Sequence, residues 1–232
     1  MANYFKIYST RAAHNADHTP NSENYEEPWV ALMTEAPKSV SYNVVPGLTV
    51  TYTESGTNKR KKVYSSTITS TTITGLNITK SSVNTIRVYN GVTTLGSSCF
   101  KDCTNATSVK LPYGLTAIPE SMMENCASVE EIVIPVTVTS IGNNAFKGCE
   151  ELDDVIVPEG VTSIGNSAFS GDESLGTLTV MAQTPPTLGT TVFGSLQGID
   201  VYVPAASVAA YLADSSWGAL HTGGTIAIQA IS

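Results

Sequence analysis

The sequence is poor in aromatic residues, in charged residues and in long apolar runs. Aromatic residues make up 7% and charged residues 14% of its 232 positions, and histidine occurs three times. No segment approaches the roughly 20 consecutive apolar residues that span a bilayer, and the N-terminus has no apolar run of secretory length. We therefore expect no membrane span and, if this is the native start, the Sec pathway is not the obvious route of export.

Basic residues are missing from the C-terminal third of the sequence. All 12 Lys and Arg lie within residues 1–147, and the charged residues of 148–232 are all Asp or Glu. The net charge is −8. A nucleic-acid-binding protein needs a basic stripe to displace counterions from phosphates, and the one run of bases is Lys59, Arg60, Lys61 and Lys62. We predict no nucleic-acid partner. The run is interpreted as a charged hairpin end, which in an acidic protein is also the natural place for an anionic partner.

Residues suited to catalysis or metal binding are equally scarce. His14 and His18 have the i, i+4 spacing of a helical metal site with Asp17 between them, but no further ligand set accompanies them. The acidic cluster at 150–154 lacks the calcium-loop pattern and is interpreted as a solvated face. No grouping of nucleophile, base and acid is present, so we predict no enzyme activity, no metal and no cofactor.

What the sequence has in abundance is repetition. VTSIGNNAFKGCEELDDVIVP at 138–158 is followed by VTSIGNSAFSGDESLGTLTVM, and Val92, Leu115, Val138 and Val161 open four equivalent lines at a period of 23. Repeats of this length cannot bury their apolar face alone and stack on their neighbours. The apolar columns that follow each opening residue are Leu95, Ile118, Ile141 and Ile164; Phe100, Met123, Phe146 and Phe169; and Val109, Ile132, Val155 and Leu178.

Each line contains one short strand whose first and third residues are expected to point inward, at 109–111, 132–134, 155–157 and 178–180. The fold class predicted is mainly β: a short leucine-rich-repeat-like solenoid of 23-residue units with a C-terminal helical cap at 205–213. We divide the chain into an N-terminal arm (1–38), a β-hairpin with strands at 48–53 and 63–68 (39–68), the capped solenoid (69–221) and a tail (222–232).

The segments SIGNNAFKGC and SIGNSAFSG, each followed by a strand, resemble the BspA-like leucine-rich repeats of bacterial and protist surface proteins and of phage or prophage proteins. The resemblance covers about residues 69–221. It implies a solenoid used for adhesion or binding, without catalysis or cofactor. The second line departs from the pattern with IPESMMENC, and the fourth line has Asp172 where the other lines have Cys.

Three cysteines, Cys103, Cys126 and Cys149, share one repeat column, and Cys99 precedes the first of them by four residues. Stacked coils lie about 4.8 Å apart in a strand ribbon, so the column suggests a thiol ladder that could hold zinc or form disulfides. Because the spacing is that of the repeat and the fourth member is Asp172, we interpret these residues as small apolar groups filling a buried corner.

The residues between the inward pairs form the candidate binding face of the ribbon. Two exposed β-branched neighbours would favour a contact surface, although strand propensity explains them equally well. The predicted face consists of Lys110, Val133, Ile156 and Thr179, flanked by Glu131 and Asp154.

The N-terminal arm carries a second candidate site. Aromatic residues bracket the polar, non-periodic stretch at 11–28, and they either pack on the first coil or insert as an anchor into a larger assembly. These anchor candidates are Tyr4, Phe5, Tyr8, Tyr25 and Trp29.

Together these features predict a non-enzymatic structural or attachment protein that displays a repeat domain for protein or glycan binding. The preferred hypothesis is a phage or prophage virion accessory protein, of the decoration, head-fibre or tail-associated kind, with the arm as anchor. Its partners would be virion proteins or a host-surface receptor, and it could form homo-oligomers in the assembly. The alternative is a BspA-like adhesin at the bacterial cell surface.

Overall fold

The computed structural model of the protein describes residues 46–231, which consist mostly of strands with a few short helices near the C-terminal end. The helices are α1 (Val208–Ala213) and α2 (Trp217–Thr222), and single 3-10 turns occur at Thr74–Leu76, Lys80–Ser82 and Ala205–Ser207. The strands, in chain order, are β1 (Gly47–Glu54), β2 (Thr57–Tyr64), β3 (Thr67–Ile68), β4 (Val83–Val88), β5 (Thr94–Leu95), β6 (Ser108–Lys110), β7 (Ala117–Ile118), β8 (Glu131–Val133), β9 (Ser140–Ile141), β10 (Asp154–Val157), β11 (Ser163–Ile164), β12 (Thr177–Val180), β13 (Thr187–Leu188), β14 (Ile199–Val203) and β15 (Ile226–Ala230).

The strands form one long sheet and two small ones. The long sheet has nine strands in the order β15-β14-β12-β10-β8-β6-β4-β1-β2. A four-stranded sheet has the order β13-β11-β9-β7, and β3 pairs with β5. Each repeat unit therefore contributes one strand to the long sheet and one two-residue strand to a smaller sheet, which is the arrangement expected of stacked coils.

The register of the long sheet reproduces the sequence period. Val109 pairs with Ile132, Ile132 with Val155, and Val155 with Leu178, all in parallel strands. The column continues to Val201 in β14. The prediction of a mainly β solenoid of 23-residue units is confirmed.

The core lies between the sheets and is filled by the repeat columns. The two inward residues of β10, Val155 and Val157, are at most 1% exposed. Behind them Phe169 stacks on Phe146 with ring centroids 5.4 Å apart and on Phe193 at 6.2 Å. Stacked, nearly parallel rings at such distances supply both buried apolar area and a favourable offset contact.

The Ile-Gly-Asn motif explains how successive coils approach so closely. A Cβ at Gly165 would lie 2.5 Å from the backbone nitrogen of Asn143 in the preceding coil, so only glycine fits there. The side-chain oxygen of Asn143 accepts a hydrogen bond from the backbone N–H of Asn166 at 2.8 Å, and that of Asn166 accepts one from Thr190 at 2.7 Å. The asparagines thus satisfy backbone donors between coils where the strand ladder does not reach.

The N-terminal hairpin differs from its predicted boundaries. Its turn is only two residues long, Ser55-Gly56, and both have the positive φ that a type I′ turn requires. The second strand is therefore Thr57–Tyr64 instead of 63–68, and the bases at 59–62 lie within a strand instead of at a hairpin end. The opposite side of β1 pairs with β4, which joins the hairpin to the repeat sheet.

The predicted C-terminal helical cap is present as the 3-10 turn at 205–207 and α1. Tyr211 of α1 and Trp217 of α2 are buried and meet edge to face at 5.3 Å. The Tyr211 hydroxyl donates to the Ala182 carbonyl at 2.8 Å, and the Trp217 indole N–H donates to the Pro186 carbonyl at 2.8 Å. Both polar tips are satisfied, as buried Tyr and Trp require.

The segment that was predicted to be a tail, 222–232, contributes β15 to the long sheet. This strand pairs in parallel with β14, and its alternate residues Ile226 and Ile228 are buried.

None of the helices within residues 46–231 has the length and apolar character needed to cross a membrane.

Candidate functional site

The candidate site is the outer face of the long sheet, which is defined by the side chains that alternate with the core residues. Strand pairing aligns them in two rows that cross all nine strands. The first row is Lys62, Thr49, Arg87, Lys110, Val133, Ile156, Thr179, Tyr202 and Gln229. The second row is Arg60, Thr51, Thr85, Ser108, Glu131, Asp154, Thr177, Asp200 and Ala227.

Most of the predicted face residues are accessible in the structure. Lys110, Val133 and Glu131 are exposed, and Ile156 and Asp154 are half-buried. Thr179 differs from the expectation because it is only 8% exposed. Its register partners in the two neighbouring strands are the larger residues Ile156 and Tyr202.

The outer face is divided by charge. The end formed by β2, β1, β4 and β6 has cations in its two rows and no carboxylate, whereas the strands from β8 onward have carboxylates and no cation. The cations are Arg60, Lys62, Arg87 and Lys110, and the carboxylates are Glu131, Asp154 and Asp200. This division follows the uneven distribution of charge along the sequence.

An apolar pair lies in the first two strands of the acidic region, next to the basic end. Val133 is 39% exposed, and Ile156, its partner in the next strand, is half-buried. Apolar side chains surrounded by polar and charged ones form the usual anatomy of a protein-binding surface. Tyr202 extends the apolar character two strands further.

The basic end is organised by contacts that the sequence analysis did not anticipate. The Arg87 guanidinium lies over the ring of Tyr89, 5.6 Å from its centroid, and the Thr49 hydroxyl donates to the Tyr89 hydroxyl at 3.1 Å. Arg87 and Tyr202 were missed although they stand 23 residues before Lys110 and 23 residues after Thr179. Extension of the period into the flanking units would have found both.

The predicted anionic-partner patch, Lys59 to Lys62, is divided between two faces because side chains alternate along β2. Lys59 forms an ion pair with Glu54, whose pKa is held below its ordinary value by the hydrogen bond from Lys59. Lys61 donates to the Leu76 carbonyl at 2.5 Å and lies over the Tyr52 ring. Only Arg60 and Lys62 belong to the outer face.

The anchor candidates Tyr4, Phe5, Tyr8, Tyr25 and Trp29 lie outside the described residues, as do His14 and His18.

The cysteine column is buried, as predicted. Cys99, Cys103, Cys126 and Cys149 are all free thiols with no exposed surface. The thiols of Cys126 and Cys149 donate to the carbonyls of Phe100 at 3.2 Å and Met123 at 3.3 Å. Burial raises the pKa of Cys99 and Cys103 to about 12, so these thiols stay protonated and unreactive at neutral pH.

Asp172 occupies the fourth position of this column and is fully buried. Its Oδ1 accepts the backbone N–H of Cys149 at 3.0 Å, whereas its Oδ2 has no hydrogen-bond partner in the described part of the chain. Burial raises the pKa of the carboxyl to about 8, although backbone N–H groups of Cys149 and Gly148 act in the opposite direction. The repeat therefore places a carboxyl group in a site built for a thiol.

The metal-ligating residues of 46–231 and one groove in this part of the chain bear on metal binding and catalysis. No group of three or more metal-ligating side chains is found there. A groove of about 280 Å³ beside α2 is lined by ten residues, among them Leu188, Phe193 and Leu220, and none of the ten is titratable. This groove supplies no general acid or base.

Comparison with known proteins gives one family match and several structural similarities. The model for the BspA type leucine rich repeat region matches residues 61–199, more than half of the chain, as six copies. Comparison with curated proteins gives no match.

Several solved structures are similar, among them two bacterial leucine-rich repeat proteins. One from Bacteroides ovatus is 18% identical, with a TM-score of 0.44, over 71% of this chain and 60% of that chain. The pneumococcal vaccine antigen PcpA is 18% identical, with a TM-score of 0.48, over 62% and 40%. The T. pallidum leucine-rich repeat protein is 19% identical, with a TM-score of 0.47, over 70% and 78%. The chain thus spans less than two thirds of the first two proteins.

Proposed function

The chain belongs to the BspA-type leucine-rich repeat family, and on this premise we propose that it is a non-enzymatic attachment protein that binds a protein or glycan through the outer face of its long sheet. Leucine-rich repeat domains generally present extended surfaces for protein partners. The observation that carries the proposal is the apolar pair Val133 and Ile156, which lies beside the carboxylates Glu131 and Asp154 and next to the basic end of one continuous face. Such a face provides apolar contact area at its centre and charges that orient a partner.

Substitution of the apolar pair tests this proposal. We expect Val133→Glu combined with Ile156→Glu to weaken partner binding at least tenfold, because central apolar contacts carry most of the binding energy at an interface. The measurement is binding of the fluorescently labelled chain to cells and particles from the native source. Val136→Glu is the matched control, since Val136 is also 39% exposed but lies outside the strand rows. Unchanged binding of the double variant, with an unchanged melting curve, would refute the role of this face.

Two settings are proposed for this activity, a phage or prophage virion and the bacterial cell surface. Both settings are proposed because the repeats resemble those found in bacterial surface proteins and in phage or prophage proteins. Mass spectrometry of the native source, with particles separated from cell envelope, distinguishes them. Fixed copy number with capsid or tail proteins supports the virion, and recovery in the envelope supports the adhesin. Recovery only as a free monomer in the soluble fraction would count against both.

A further inference from the structure

Among the strands of residues 46–231, β2 stands at the end of the long sheet with one side of its backbone open. Within residues 46–231 it pairs with β1 alone. Ser65 N–H donates to the Pro46 carbonyl at 3.0 Å, and Tyr89 N–H donates to the Gly47 carbonyl at 2.9 Å. Along an antiparallel strand, the backbone N–H and C=O groups of successive residues point alternately toward and away from the partner strand, and these two bonds show which residues of β2 point toward β1. The backbone N–H and C=O groups of Asn58, Arg60, Lys62 and Tyr64 therefore point away from β1.

The same residues carry the outward side chains of β2. Tyr64 is 70% exposed, and Arg60 and Lys62 are exposed as well. Lys59 and Lys61, on the inner side, are held by Glu54 and by the Leu76 carbonyl. Within the described part of the chain, neither Arg60 nor Lys62 has an ion-pair or hydrogen-bond partner for its side chain. As far as residues 46–231 are concerned, backbone groups and cations without partners thus coincide at one edge.

The charge of this edge selects its occupant. Two β2 edges placed side by side would set like charges opposite one another, which destabilises a strand pair. Lysine at an edge is a common defence against such self-association. The same charges favour a strand whose carboxylates lie opposite them, so repulsion and attraction both discriminate in favour of an acidic partner.

We propose that the outer edge of β2 binds an extended acidic polypeptide segment as an additional strand. Main-chain hydrogen bonds to Arg60 and Lys62 supply the pairing, and carboxylates on alternate residues of the segment face their side chains. The residues between those carboxylates are uncharged and lie on the side of Val63. Arg60 and Lys62 also belong to the basic end of the outer face, but strand pairing at this edge does not require the apolar pair Val133 and Ile156.

The test uses the full 232-residue chain and fluorescence anisotropy with labelled eight-residue peptides. The first peptide alternates glutamate and valine, and the second has the same composition with its glutamates in one block. Two further peptides carry N-methyl groups on one or the other set of alternate amides. We expect the alternating peptide to bind, the block peptide to bind at least tenfold more weakly, and only one of the two methylated peptides to lose at least tenfold in affinity.

Variants of the protein locate the site. Lys62→Glu is expected to lower the affinity for the alternating peptide at least tenfold. Lys147→Glu makes the same charge reversal at an exposed lysine elsewhere and should change that affinity less than twofold. Melting curves check that both variants are folded. Equal binding of all four peptides would mean attraction by charge alone and would overturn the proposal. Absence of measurable binding by the alternating peptide would overturn it as well.

Discussion

Replacement of Asp172 by cysteine is expected to increase the free energy of unfolding by about 4 kcal/mol at pH 7 and to change it little at pH 4. The substitution restores the residue that the column has at Cys103, Cys126 and Cys149. It also removes the buried carboxyl of Asp172, whose Oδ2 lacks a hydrogen-bond partner in the described residues.

The direction of the pH dependence of stability follows from the protonation state of Asp172 in the folded and the unfolded protein. The pKa of Asp172 is about 8 in the folded protein, against an ordinary value of 3.8. The native state therefore keeps a proton that the unfolded chain releases between these values, so native stability falls as pH rises from about 4 to about 8. A cysteine at this position is neutral across that interval and removes the dependence.

Urea unfolding at pH 4, 6 and 8 measures this effect. Glu173→Gln is the control, because Glu173 is the adjacent carboxylate and is exposed. It should leave the pH dependence unchanged. An Asp172→Cys variant with the same slope of stability against pH as the native protein would show that the carboxyl is not held protonated by burial.

Replacement of Phe169 by alanine is expected to lower the free energy of unfolding by about 3–5 kcal/mol. Phe169 is fully buried and lies between Phe146 and Phe193, so its removal leaves a cavity that adjoins both neighbouring coils. Each coil packs only on the coils next to it, so no other element can move in to fill the space.

Urea unfolding followed by circular dichroism is the measurement. Leu212→Ala is the control, because Leu212 is 43% exposed on α1 and its truncation should cost less than about 0.5 kcal/mol. A cost for Phe169→Ala as small as that of the control would show that the aromatic column does not hold the coils together.

The repeat allowed the sequence to predict the core and strand register. A residue such as Val155 has the same surroundings as Ile132 and Leu178, so one alignment of the chain with itself assigns all three. Features that depend on a single contact were not predictable in this way. Thr179 is buried although it alternates with the core residues, and the position of the basic residues in β2 depends on the two-residue turn at Ser55-Gly56.

The helical cap at 205–213 was predicted, but the strand that follows it, β15, was not, for a related reason. β15 has the alternation of a strand, but it follows α2 and has no counterpart in the earlier lines. The sequence suggested residues for the candidate face only where the period is exact. Its basic end, with Arg87 and Tyr89, lies in a unit that retains the strand and has lost the phenylalanine.

Because successive coils share the same register, the long sheet can change in length only by whole repeat units. Val138 and Val161 occupy equivalent positions, so residues 138–160 form a module with matching ends. A duplication of that module would lengthen the outer face by about 4.8 Å without requiring a new kind of contact. The reach of this surface can therefore change by whole steps through gain or loss of a gene segment, while the hairpin and the helical cap stay as they are.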